Sequence, residues 1–186
     1  MIELRMSGEL ICSHAACGEI VGFSAIGGVD HDPYENTVDK FFRIKAIYPA
    51  PWIIELPKEL PDPIRKPLIA SFESYWANKQ LCANAIRQSI EALLDHHKVS
   101  RTSVKDKRLP LGGRIDLLKE IKPEFSELFE LFRPFLNAGS HGEEIEIASL
   151  LNVFEALEIH LSQVFDTKSN RLDELKALMK KASESE

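Results

Sequence analysis

The chain has 186 residues, 44% of them hydrophobic and 28% charged, and a formal net charge of −6. That length suits one domain with a small appendage, large enough to bury a core without covalent staples. The acidic balance excludes wholesale coating of nucleic acid, three cysteines exclude a secreted disulfide scaffold, and no window nears the ~18 apolar residues of a membrane span. Met1 to Met6 lack the apolar core of a signal peptide, so a cytoplasmic protein with reduced thiols is expected.

Residues 9–24 predict a short hairpin, with Glu9–Cys12 and Glu19–Phe23 as its strands. Its middle holds Cys12 and Cys17 followed by Gly18, half of a zinc knuckle in type and spacing. A closed zinc site needs four ligands, and no second cysteine pair follows. The expected state is therefore a pair of buried free thiols and no cofactor, with structural zinc as the competing reading. Residues 26–39, carrying Gly27-Gly28 and Asp30-His31-Asp32-Pro33, predict a loop, and Lys40 to Ile47 a third strand.

Six prolines between Pro49 and Pro67 remove backbone donors and favour an extended strap, anchored by Trp52, Ile53, Ile54 and Leu56. The period then becomes helical. One helix is expected over 67–77, with Asp62-Pro63 as a candidate cap and first position and Pro67 able to delay it by a turn. A second is expected over 78–97, with Cys82, Ile86, Ile90, Leu93 and Leu94 on one side. On its other side Arg87 and Glu91 lie four apart and can pair. His96 and His97 point about 100° apart on a helix and are assigned to its fraying end rather than to a metal.

The stretch Lys98 to Arg114 carries a local charge of +5 and reads as a basic loop. Arg101, Lys105, Lys107, Arg108 and Arg114 are its candidates for following a phosphate backbone; a solvated connection is the other reading. Further helices are expected over 113–121, from Pro123 to the 132–141 corner, over 142–165 and over 169–181. The 142–165 segment has the clearest apolar stripe, through Ile147, Leu150, Leu151, Phe154, Leu157 and Leu161.

At the corner, Pro134, Asn137 and Gly139 favour reversal of the backbone, and Ser140 with Glu143 forms a capping box. This brings Arg133 at one helix end towards His141 in the next helix's first turn. The helix dipole there favours a neutral imidazole, which suits a general base, and a guanidinium suits a phosphate. Capping and turn-building account for the same residues without chemistry.

The sequence from Ala83 to Leu94, followed by Arg133-Pro-Phe-Leu-Asn137-Ala-Gly-Ser-His141, resembles the bacterial domain-of-unknown-function family 4145 over about Leu56 to Phe165. The resemblance implies a mainly α fold, an HEPN-like helical bundle over 67–186. Before it would come a β appendage over 1–48, like a degenerate zinc ribbon, and the strap over 49–66. It implies a homodimer from bacterial defence or toxin–antitoxin systems, acting on RNA as a metal-independent endoribonuclease. Arg133, His141 and Asn137 would be catalytic, with Arg87 and Glu91 supporting them. Seven residues separate Arg133 from His141, more than in the family pattern. The alternative is a non-catalytic dimerising or adaptor module that binds a protein partner from a defence operon.

Overall fold

The computed structural model describes residues 3–14, 16–32, 37–125, 127–132 and 145–165. Three antiparallel strands, β1 (Glu3–Ile11), β2 (Ile20–Asp32) and β3 (Thr37–Tyr48), form a meander in the order β1-β2-β3. All three outrun the expected hairpin. The loop expected over 26–39 is instead largely strand, because Gly27 and Gly28 pair with Leu4, Glu3, Phe42 and Phe41. A Cβ on Gly27 would stand 1.8 Å from the Phe41 carbonyl oxygen, so this glycine permits close backbone approach rather than a turn. A bulge between Ser24 and Ala25 shifts the β3 register by one residue.

Residues 49–61 then cross to the helices, and their apolar anchors decide where they lie. Ile54, Leu56 and Leu60 are buried in the helical core, while Trp52 stays exposed. The strap's carbonyls are taken up by one guanidinium: Arg65 donates to Pro57 O at 2.7 Å, Lys58 O at 2.8 Å and Leu60 O at 3.3 Å. Glu55 N donates in turn to Glu158 Oε1 at 2.7 Å.

The first helix, α1 (Asp62–Ala77), begins at Asp62 with Pro63 in its first turn, so the strap ends at Pro61 and Pro67 lies inside the helix. It buries Ile64, Leu68, Ser71 and Phe72. Asn78 interrupts the helix, and its side chain accepts from Gln80 N and Leu81 N to start α2 (Lys79–His96). The Ser89 hydroxyl donates to Ile64 O at 2.6 Å, placing the later half of α2 beside the start of α1, so the pair runs antiparallel. Every residue of the expected α2 stripe (Cys82, Ile86, Ile90, Leu93, Leu94) is buried. Each such aliphatic side chain contributes about 1.5–3 kcal/mol over its exposed state.

Next come α3 (Leu111–Ile121), α4 (helical at 123–125 and 127–132) and α5 (Ile147–Phe165). Pro110 caps α3, two residues earlier than the glycines suggested. Phe129 and Phe132 of α4 are fully buried, as are Leu150, Leu157 and Leu161 of α5. Ile147 and Leu151, expected in the buried stripe, are exposed instead, and Val153 and His160 take buried places. The architecture is a helical domain with an N-terminal β appendage. The helix expected over 169–181 lies outside the described residues, and no described helix is long and apolar enough to cross a membrane.

Candidate anion-binding cleft

The basic stretch folds tightly. Arg101 to Leu109 make a small hairpin: Thr102 bridges Arg108, Leu109 N donates to Arg101 O at 2.9 Å, and Ser103 N donates to Lys107 O at 2.8 Å. Asp106, with φ of 55°, closes its turn. The hairpin lays Arg101, Arg108 and Leu109 against the outer face of α2 and the start of α3. A recess of about 410 Å³ results, lined by Arg87, Glu91, Arg101, Arg108, Leu109, Pro110, Leu111 and Arg114.

Sequence candidates from two separate stretches thus meet: Arg87 and Glu91 of α2 with three of the five basic-stretch residues. Arg87 Nε lies 3.4 Å from Glu91 Oε1, the pair expected from their spacing. Lys105 and Lys107 are exposed and do not line the recess.

Asp95 does not line the recess but holds two of the arginines that do. Its carboxylate receives Arg101 Nε at 3.0 Å, a second contact from Arg101 Nη2, and Arg114 Nη2 at 2.7 Å. Hydrogen bonds from Arg101 and then Arg114 hold this carboxyl below its usual range, while partial burial opposes them. Arg101 is shifted the other way by the same partner. Arg114 is only 3% exposed. It also donates to Val99 O at 3.0 Å, Ser100 O at 3.2 Å and Glu91 O at 3.3 Å. Its donors are committed to tying the end of α2 to α3, so it acts as a brace rather than as a free phosphate ligand. Arg101 and Arg108 keep exposed guanidinium surface above it.

A second polar cluster escaped the sequence reading. His97 does not fray; it caps α2, with its N–H donating to Leu93 O, and is 2% exposed. Its Nε2 lies 2.9 Å from Nε2 of the fully buried His160 on α5. One ring must donate and the other accept, so the acceptor is neutral, and burial in an apolar surround favours the neutral form of the donor as well. Phe125 and Phe129 pack around the pair, with ring centroids 4.7 and 5.1 Å from His160. Burial, aided by Lys122 and the neighbouring imidazoles, lowers the pKa of His97 to about 4 and of His160 to about 3. His160 sits between Leu157 and Leu161 in the apolar stripe, the one sequence signal that could have marked it as a core histidine.

Cys12 and Cys17 are free and exposed, not buried as expected. They flank a turn in which Cys17 N donates to His14 O and Gly18 adopts a φ of 61°. Among the described residues no three His, Cys, Asp or Glu side chains gather as a metal site. Two thiols fall short of the four donors a closed zinc site needs. Cys82, the third, is buried and its pKa pushed up to about 12, an unreactive core thiol. Arg133, Asn137 and His141 lie outside the described residues.

Fold and cleft together define a helical domain with an N-terminal β appendage and an arginine-lined recess. Residues 70–184 match the family described as Domain of unknown function (DUF4145), and the chain belongs to that family. No curated protein matches the chain, and no solved structure does.

Proposed function

We propose that the protein is an RNA-directed member of the HEPN-like superfamily, of bacterial defence or toxin–antitoxin type. The observation that carries the RNA reading is the convergence of Arg87, Arg101 and Arg108 on one recess whose lining includes a single carboxylate, Glu91. Guanidinium donors pair well with phosphate oxygens, and Asp95 and Glu91 already orient Arg101 and Arg87 beside the exposed Arg108.

Cleavage belongs to the same proposal and rests on the resemblance around Arg133 and His141. His141 would take the ribose 2′-hydroxyl proton, and the resulting 2′-oxygen would attack the adjacent phosphorus. Arg133 would stabilise the phosphorane, with Asn137 orienting the phosphate. The P–O5′ bond breaks and the 5′-oxygen takes a proton from water while protonated His141 returns its own to solvent, giving a 2′,3′-cyclic phosphate and a 5′-hydroxyl end. The exposed Ile147 and Leu151 on α5 and Leu131 on α4 support a homodimer, since two-fold pairing is the commonest way to cover such side chains. The same side chains favour a second reading, a non-catalytic adaptor that docks a protein partner from a defence operon.

The test is cleavage of a long single-stranded RNA, with end-group analysis, by the parent, His141→Ala and Arg133→Ala proteins, beside light scattering. The proposal expects cyclic-phosphate ends from the parent, loss in both variants without loss of fold, and a dimer. Cleavage surviving both substitutions refutes the mechanism. Absence of cleavage and of RNA binding, with the dimer intact, leaves the adaptor reading.

A further inference from the structure

The recess carries a narrower assignment, which rests on its reading as a phosphate site. We infer that it takes a phosphate monoester borne on a flat apolar body, the chemistry shared by a nucleoside monophosphate and the 5′-phosphorylated end of an RNA chain.

Shape argues first. At about 410 Å³ the recess falls within the ~300–1,000 Å³ of small-molecule sites, whereas chain-tracking proteins present an extended basic groove. Charge argues second. A phosphomonoester carries about −1.5 to −2 and three terminal oxygens, so it can engage more than one guanidinium fork; a backbone diester offers one charge and two oxygens. Asp95 takes up the Nε and Nη2 edge of Arg101, which sets the orientation of this guanidinium before a ligand arrives and leaves the ligand its Nη1 donors.

The remaining lining separates a nucleotide from a bare anion. Leu109, Pro110 and Leu111 form an apolar wall against which a base or sugar can lie, and inorganic phosphate gains nothing from it. Glu91 repels a simple anion but accepts a hydrogen bond from a ribose hydroxyl or a base amine. The first turn of α3 opens at the same wall, and its cap residue, Pro110, supplies no side-chain hydrogen bond to it.

Calorimetric titration of the full chain with adenosine monophosphate, adenosine and inorganic phosphate tests the assignment. The monophosphate should bind at least about tenfold more tightly than either of the others. Arg108→Ala should weaken it by about tenfold or more, the loss expected for one charge-assisted contact, and Arg108→Lys should fall between. Arg108 is exposed, so the melting temperature should hold in both variants. Polarisation with a short RNA bearing a 5′-phosphate or a 5′-hydroxyl then distinguishes the sources. Preference for the phosphorylated end assigns the site to RNA termini; indifference, with the monophosphate still bound, assigns it to the free nucleotide. Adenosine or inorganic phosphate binding as tightly as the monophosphate overturns the inference, as does an unaffected Arg108→Ala or no binding at all. Monophosphate binding without RNA cleavage leaves the inference standing while the ribonuclease mechanism falls. Cleavage by a protein that binds no monophosphate does the reverse.

Discussion

Acidification should unfold this protein through its buried histidine pair. His97 and His160 share one proton across 2.9 Å inside a phenylalanine cage, and each titrates far below the ordinary 6.5. The fold therefore favours their neutral forms, and between pH 6.5 and 4 the unfolded chain binds more protons than the folded one. Stability is full above 6.5 and falls as pH drops through that window, by about 1.4 kcal/mol per pH unit for each imidazole kept neutral. Down to pH 4 the loss is about 3 kcal/mol for one histidine and up to about 7 if both act, against a total of about 5–15 for a domain of this kind. Glu124 opposes the shift at His97, while Lys122 and His96 reinforce it. Urea unfolding at half-unit steps from pH 7.5 to 4.5, followed by circular dichroism, measures the slope above most carboxylate titration. Replacing His160 with Gln retains a donor for His97 and removes one titrating group, so the slope should fall to about half. A parent protein equally stable at pH 7 and 5, or a His160→Gln slope equal to the parent's, would refute the reasoning.

Three further outcomes follow from described contacts. Arg114→Met should lower stability by about 2–4 kcal/mol, because three carbonyls and Asp95 lose a buried partner; a thermal melt shifted by less than a degree would contradict the brace role. Gly27→Ala should disrupt pairing of β2 with β3 and expose sheet amides to rapid hydrogen exchange, while the α2 amides stay protected. Metal analysis of the purified protein should find less than about one zinc per chain, and Cys12→Ser with Cys17→Ser should leave the melting temperature unchanged.

What could be read from sequence depended on how local the cause was. The α2 stripe from Cys82 to Leu94 was legible because helical periodicity alone decides which of its side chains face inward. Gly27 and Gly28 misled because a glycine pair signals a turn equally well as a close strand contact, and only the partner Phe41 settles which. The basic stretch was visible as charge, yet which cations converge depends on the Thr102–Arg108 bridge and on Arg114 being drawn inward by Asp95. The histidine pair joins residues 63 apart, beyond the reach of any periodic signal. Pro67 reads as able to delay the first helix by a turn, yet α1 begins at Asp62-Pro63 and carries Pro67 inside it.

The single residue Asn78 between α1 and α2 bears on how the chain folds. A one-residue connection closes almost no loop, so this helical hairpin can form from contacts close in sequence, at small entropic cost. The β meander is local for the same reason. α5 is not: its bond from Glu158 to the Glu55 amide spans 103 residues, and its imidazole contact spans 63. Docking of α5 therefore carries most of the loop-closure cost. Lesions along Leu150 to Leu161 should accordingly speed unfolding more than they slow the first collapse.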